Sequence, residues 1–156
     1  MKTIMYAFAA ACALSCLSSA SAQAPAPIAL EAVQPIGGAW TYRSIEGGSE
    51  ADFVDTAAAV RLEIRCNRAA RTVSIIRTQV PAAAPTLAIW TTSLSRSVPA
   101  RYLATKDLIA DLTSTDAVLD AIAFSRGRIA TAATGAPMVA VASGPETARV
   151  IEDCRS

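Results

Sequence analysis

The sequence predicts a mainly β domain: a β-rich α+β fold, an antiparallel sandwich or flattened barrel of about six to eight strands with two helices. Three observations predict it. Val60 to Cys66 alternates strictly, with Val60, Leu62, Ile64 and Cys66 on one side and Arg61, Glu63 and Arg65 on the other. That is the period of a half-buried strand. Further short runs rich in β-branched and aromatic residues follow, each bounded by Gly, Pro or Asn. Two stretches in the C-terminal half carry helix-start chemistry and a helical period instead.

Taken in order, Met1 to Ala22 reads as a secretory signal peptide, with Lys2, an apolar stretch from Ile4 to Leu17, and the small residues Ala20-Ser21-Ala22. A competing reading anchors a lipoprotein through Cys16 after Ala13-Leu14-Ser15, although a bulkier aliphatic residue than Ala13 is expected at that place. Cleavage after Ala22 implies a periplasmic or secreted product. Residues 23–38 read as an Ala/Pro-rich linker that need not fold, and residues 39–156 as one globular domain.

Ala39 to Arg43 reads as a first strand, and Gly47-Gly48-Ser49 as a turn. The clearest strand, Val60 to Cys66, turns through Asn67–Arg71 and resumes its alternation from Thr72 to Arg77, as a hairpin would. Leu87 to Thr92 reads as a strand after the Pro81–Pro85 break, and Val98 to Thr105 as another, with Pro99 placing its start at an edge. Asp107 to Leu112 fits strand and helix alike. Asp116 to Ser125 reads as a helix capped by Thr115, with Val118, Leu119 and Ile122 sharing a face and Gly127 closing it. Ile129–Ala133 and Met138–Ala142 read as strands joined at Gly135-Ala136-Pro137. A final helix starts at Pro145, with Glu146 complementing its dipole and Ala148, Ile151 and Cys154 turned inward.

Composition narrows the chemistry. The chain has no histidine, which removes the usual general base, the triads built on it and most zinc sites. Its formal charge is +1, and loss of Lys2 with the leader brings it to zero, which argues against nucleic acid or anionic lipid as partner. No metal or cofactor site is expected. Apolar runs after the leader, such as Ala57–Val60 and Ala121–Phe124, fall far short of the ~18–20 residues a spanning helix needs.

Removal of the leader discards Cys12 and Cys16 and leaves Cys66 and Cys154 as the only cysteines, in an oxidising compartment. They are expected to bond and staple the last helix to the sheet. Redox thiols or a metal site are the alternatives, but no Cys-x-x-Cys spacing is present.

The densest polar signal is Ser125-Arg126-Gly127-Arg128. Arg126 and Arg128 can clamp a phosphate or carboxylate, since a guanidinium binds either bidentately. The structural alternative has Arg126 and Gly127 finishing the helix, and Arg128 paired with Asp120, Glu152 or Asp153. Tyr102-x-x-x-Lys106 has short-chain dehydrogenase spacing without the nucleotide loop, and reads as coincidence. Ser125 lacks both a Gly-x-Ser-x-Gly frame and a histidine. Two acids such as Glu63 and Asp153 are the remaining route to catalysis. Trp40 and Trp90 sit in strands beside aliphatic residues, which favours packing over a binding platform.

The segment Asp116-x-x-Leu119-Asp120-x-x-Ala123-Phe124-Ser125-Arg126-Gly127-Arg128 and the ending Arg149-Val150-Ile151-Glu152-Asp153-Cys154-Arg155 resemble a group of small exported (periplasmic) proteins of alphaproteobacteria. The resemblance implies an envelope location and a disulfide between the central and terminal cysteines, and it implies no activity. The expected function is therefore a non-enzymatic envelope binding or accessory protein, with an envelope protein or a small anionic ligand as partner. The alternative is a histidine-free carboxylate-dependent hydrolase acting on envelope glycans.

Overall fold

Alternating side chains make the first layer. In the computed structural model, which describes residues 24–156, β1 (Gly38–Ile45), β2 (Gly48–Asp55), β3 (Val60–Asn67) and β4 (Thr72–Arg77) run as consecutive antiparallel hairpins. The leader, Cys12, Cys16 and the expected cleavage at Ala22 lie outside the described residues. Then come β5 (Thr86–Trp90), β6 (Ser95–Pro99), β7 (Arg101–Tyr102), β8 (Leu108–Thr113), α1 (Ala117–Ala123), β9 (Arg128–Ala132), β10 (Val139–Ala142) and α2 (Pro145–Asp153). Six strands form one sheet in the order β1-β2-β3-β4-β8-β7, and four form another in the order β10-β9-β5-β6. The fold is mainly β and antiparallel, a sandwich with open edges rather than a closed barrel.

The ten described strands exceed the six to eight expected, for two reasons. The segment after the Gly47 turn is a full strand, β2, whose alternation of Glu50 and Asp52 with Ala51 and Phe53 carries residues poor in strand propensity. The single strand expected over Val98–Thr105 is two: β6 belongs to the small sheet and β7 to the large one, with Ala100 crossing between them and donating to the Pro85 carbonyl at 3.0 Å. Pro99 thus ends an edge strand instead of starting one. Asp107–Leu112 resolves as strand β8. At Gly48, a Cβ would fall 2.0 Å from the Cys66 carbonyl oxygen, so only glycine lets β2 and β3 approach here.

The large sheet's inner face is covered partly by the small sheet and partly by the helices. Leu62, Ile64, Ile75, Leu108 and Ala110 meet Leu87, Ile89, Ile129 and Val141 in one buried core. α2 lies against β1, β2 and β3, and α1 packs on α2. The cap of α1 is Asp116 rather than Thr115: its carboxylate accepts from the Val118 N–H at 2.8 Å. In α2 the inward residues are Thr147, Val150 and Ile151, with Cys154 just beyond, while Ala148 is only half-buried.

The disulfide between Cys66 and Cys154 is present, with Cα atoms 5.5 Å apart and both residues buried. It ties the C-terminal end of α2 to the end of β3. Around it, Tyr42 donates to Asp153 at 2.8 Å and Arg155 donates to the Ser114 carbonyl at 2.9 Å.

The segment read as a linker is extended, as its prolines dictate, but it is laid down on the protein. Leu30–Ala32 makes a 3-10 turn, and Ile28, Leu30 and Val33 pack on Trp90, Ala130 and Ala140 of the small sheet's outer face. Trp90 Nε1 donates to the Ala26 carbonyl at 3.1 Å and the Ile36 N–H to the Ala140 carbonyl at 2.8 Å. The outward alanines of that sheet leave room for a second layer of chain. No helix of the described residues is long and apolar enough to cross a membrane.

Candidate functional site

The turn from α1 into β9 is built by short polar side chains. Ser125, 8% exposed, donates from Oγ to the Arg128 carbonyl at 2.7 Å and accepts the Thr92 N–H at 3.2 Å. Thr92 Oγ1 in turn accepts the Arg126 N–H at 3.2 Å. These bonds lock residues 124–128 to the β5–β6 loop, itself braced by Thr91 Oγ1 donating to Leu94 O at 2.8 Å. Gly127 sits at φ +88°, which suits glycine, but four residues beyond the end of α1, so it shapes the turn rather than capping the helix.

Two arginines of this turn end in different places. Arg128 reaches back to the N-terminal segment and donates through Nη1 to the carbonyls of Glu31, at 2.9 Å, and Val33. It does not pair with Asp120, Glu152 or Asp153: Asp120 and Glu152 are taken by Arg155 at 2.7 and 3.0 Å. Arg126 is exposed, and its guanidinium has no hydrogen-bond or ion-pair partner among the described residues. Beside it Phe124 is 76% exposed, the most exposed large apolar side chain among the described residues.

Between the turn and the N-terminal segment lies a cleft of about 280 Å³. It is lined by Arg126, Gly127 and Arg128 of the turn, by Thr91 and Thr92 of the β5–β6 loop, and by Ile28, Leu30 and Glu31 of the N-terminal segment. Glu31 is the residue that sequence reasoning missed. It stands in the stretch read as linker, and the only signal for it is the apolar spacing of Ile28, Leu30 and Val33, which marks that stretch as a covering segment.

A second charged region covers the outer face of the large sheet. Glu50 and Asp52, both buried, lie under Arg43 and Arg65: Arg65 Nε donates to Glu50 at 2.9 Å, and Arg43 pairs with Glu50 and, at 3.3 Å, with Asp52. Glu63 stands directly opposite Asp52 across β2 and β3 and pairs with Arg65 at 2.7 Å. Burial, with the charges of Asp52 and Glu50, outweighs Arg65 and pushes the Glu63 carboxyl up to about 7. Burial and Glu50 likewise raise Asp52.

Glu63 and Asp153 are not brought together. Glu63 shares the outer face with Asp52, whereas Asp153 bonds to Tyr42, whose register partner Ala51 is in the core. Burial of Asp153 is outweighed by the nearby Ser49 hydroxyl, the hydrogen bond from Tyr42 and the charges of Arg68 and Arg149, which hold it below the ordinary carboxylate range.

The remaining sequence candidates have structural roles. Trp40 lies edge-on to Phe53 at 5.5 Å and donates to the Ala142 carbonyl at 2.7 Å, while Trp90 is under the N-terminal segment. Tyr102 donates to the Val80 carbonyl at 3.0 Å, and Lys106 occupies the β7–β8 turn at φ +66°. Arg77 is buried on the inner face beside Leu62 and Leu108, donating to the carbonyls of Arg61 and Thr78; burial, then the charge of Arg61, lowers it to about 10. No group of three or more Cys, Asp or Glu side chains among the described residues is arranged to hold a metal ion. Comparison with family models, curated proteins and solved structures finds no match to this chain.

Proposed function

We propose that this chain is an exported, non-enzymatic binding or accessory protein of the bacterial envelope that acts through the surface around the Arg126 turn. The observation that carries the reading is the unequal use of two arginines in one locked turn. Arg128 is consumed in fastening the N-terminal segment, whereas Arg126 and Phe124 are held outward with nothing in the described fold to engage them. Arginine and large aromatic side chains on a rigid frame are what binding hot spots are made of. The disulfide supports export, because such bonds persist in oxidising compartments, and N-terminal sequencing of the envelope fraction is expected to begin at Gln23. An acylated Cys16 would place the protein on the lipoprotein route instead.

The test is capture from native envelope with the wild-type protein and with Arg126→Ala and Phe124→Ala. The reading expects both substitutions to lose the same captured species with unchanged thermal unfolding. Equal capture by all three proteins overturns it.

One observation favours the hydrolase reading: Asp52 and Glu63 are adjacent acids with raised affinity for protons. Both lie beneath arginines, and the clefts formed at the Arg126 turn, at Arg101 and at the α2 start involve neither. Release of sugar from envelope glycan, abolished by Glu63→Gln, would establish that reading over the first.

A further inference from the structure

We propose that the cleft beneath the Arg126 turn binds a small zwitterion, an α-amino acid with an aliphatic side chain, its carboxylate on Arg126 and its ammonium on Glu31. The inference rests on the Arg126 turn being the binding surface, and it names the chemistry of the ligand.

The first support is charge. Arg126, from the turn, and Glu31, from the N-terminal segment, line one cleft, and no ion pair within 4.0 Å joins them to each other or to any described residue. The Glu31 backbone carbonyl is taken by Arg128, but its carboxylate is free among the described residues. Arg128 also lines the cleft but is engaged by two carbonyls, so a simple anion such as phosphate would gain Arg126 and leave the Glu31 carboxylate unpartnered, while a simple cation would meet two guanidinium groups. A molecule carrying both charges satisfies both unpartnered side chains. Gly127 adds a backbone N–H with no partner among the described residues and open space where a Cβ would stand, so a carboxylate can approach the chain closely.

Shape and wall chemistry supply the rest. The cleft holds about 280 Å³, the lower end of small-molecule sites. That suits a ligand of amino-acid size better than a larger one. Ile28 is half-buried, and its exposed part gives an aliphatic side chain an apolar surface to cover. The frame is pre-organised, since Ser125, Thr92 and Arg128 fix the turn and the N-terminal segment before any ligand arrives.

Titration calorimetry of the exported form with four probes tests the proposal: L-leucine, its methyl ester, 4-methylpentanoate and inorganic phosphate. L-leucine is expected to bind saturably below about 10 mM, with each single-charge analogue and phosphate weaker by about tenfold or more. Arg126→Ala and Glu31→Gln are each expected to weaken L-leucine by about tenfold. Glu31→Gln retains the backbone carbonyl that Arg128 holds, so unchanged thermal unfolding shows the frame intact. If 4-methylpentanoate or phosphate binds as well as L-leucine and Glu31→Gln changes nothing, the site is a plain anion site; the zwitterion is overturned while the Arg126 surface stands. If no probe binds, the zwitterion is also overturned, and capture from envelope separately decides the surface.

Discussion

The outer faces of the two sheets meet water in opposite ways. The large sheet dresses its outer face in charge, with Glu50, Asp52 and Glu63 interleaved with Arg43 and Arg65, and leaves it open. The small sheet presents Ala88, Trp90, Ala130 and Ala140, which no charge can shield, and covers them with residues 26–36. The first face is closed by side chains and needs no further chain. The second needs a covering segment, a clamp to hold it (Arg128), and a seam where the cover meets the turn. That seam is the cleft. The lesson is that the proposed binding site lies where a cover ends, while the densest charge serves cross-strand order.

The largest expected effect strikes what backs the large sheet. Cys154→Ser releases α2 from β3 and should cost roughly 2–5 kcal/mol, read by denaturant unfolding. A cost below about 1 kcal/mol would mean the packing of Val150 and Ile151 suffices without the bond.

Leu30→Ala attacks the other face. It should cost about 2–3 kcal/mol and speed hydrogen exchange at the Ile36 N–H, which bonds to Ala140. Exchange at the β2–β3 pairs should not change. A uniform change across both sheets would refute the idea that the cover is a local device.

Glu63→Gln isolates the charged face. Its folded-state value of about 7, against an ordinary 4.5, means the folded protein holds the proton more tightly. That contribution to stability is fully present below about pH 4.5 and is lost as pH rises through about 7. Wild-type stability should therefore fall over this window, by up to about 2 kcal/mol once the partial exposure of Glu63 is allowed for. Gln should flatten the slope and stabilise the protein above neutral pH; an unchanged slope would place the titration elsewhere.

The smallest effects separate the two arginines. Arg128→Ala leaves two carbonyls of the cover without a donor and should cost about 1–2 kcal/mol, whereas Arg126→Ala should stay within about 0.5 kcal/mol of wild type. Equal costs would erase the distinction on which the proposed site depends.

What the sequence made legible was local. The alternation of Val60 to Cys66 belongs to residues that each meet the same layers, so period alone reveals β3. β2 stayed hidden because Glu50 and Asp52 look like loop residues until Arg43 and Arg65 are seen above them, a relation set by register and not by neighbours in the chain. The β6–β7 crossing depends on which sheet Ala100 reaches. Arg126 and Arg128 are the same residue type two places apart, and only the path of residues 28–33 decides which one is occupied. Glu31 was invisible as a site residue for the same reason.

The position of α2 also governs when this fold can close. The helix supplies the inner cover of β1 to β3, through contacts such as Tyr42 to Asp153 that join residues more than a hundred places apart. Until residues 145–154 arrive, the first three hairpin-linked strands have one bare apolar side, and the Cys66 thiol has no native partner. Such long-range closure slows folding relative to a fold of local contacts. A chain delivered from its N-terminus therefore stays open and oxidisable at Cys66 until the last helix emerges, and a foreign thiol present in that interval competes directly with Cys154 for the bond.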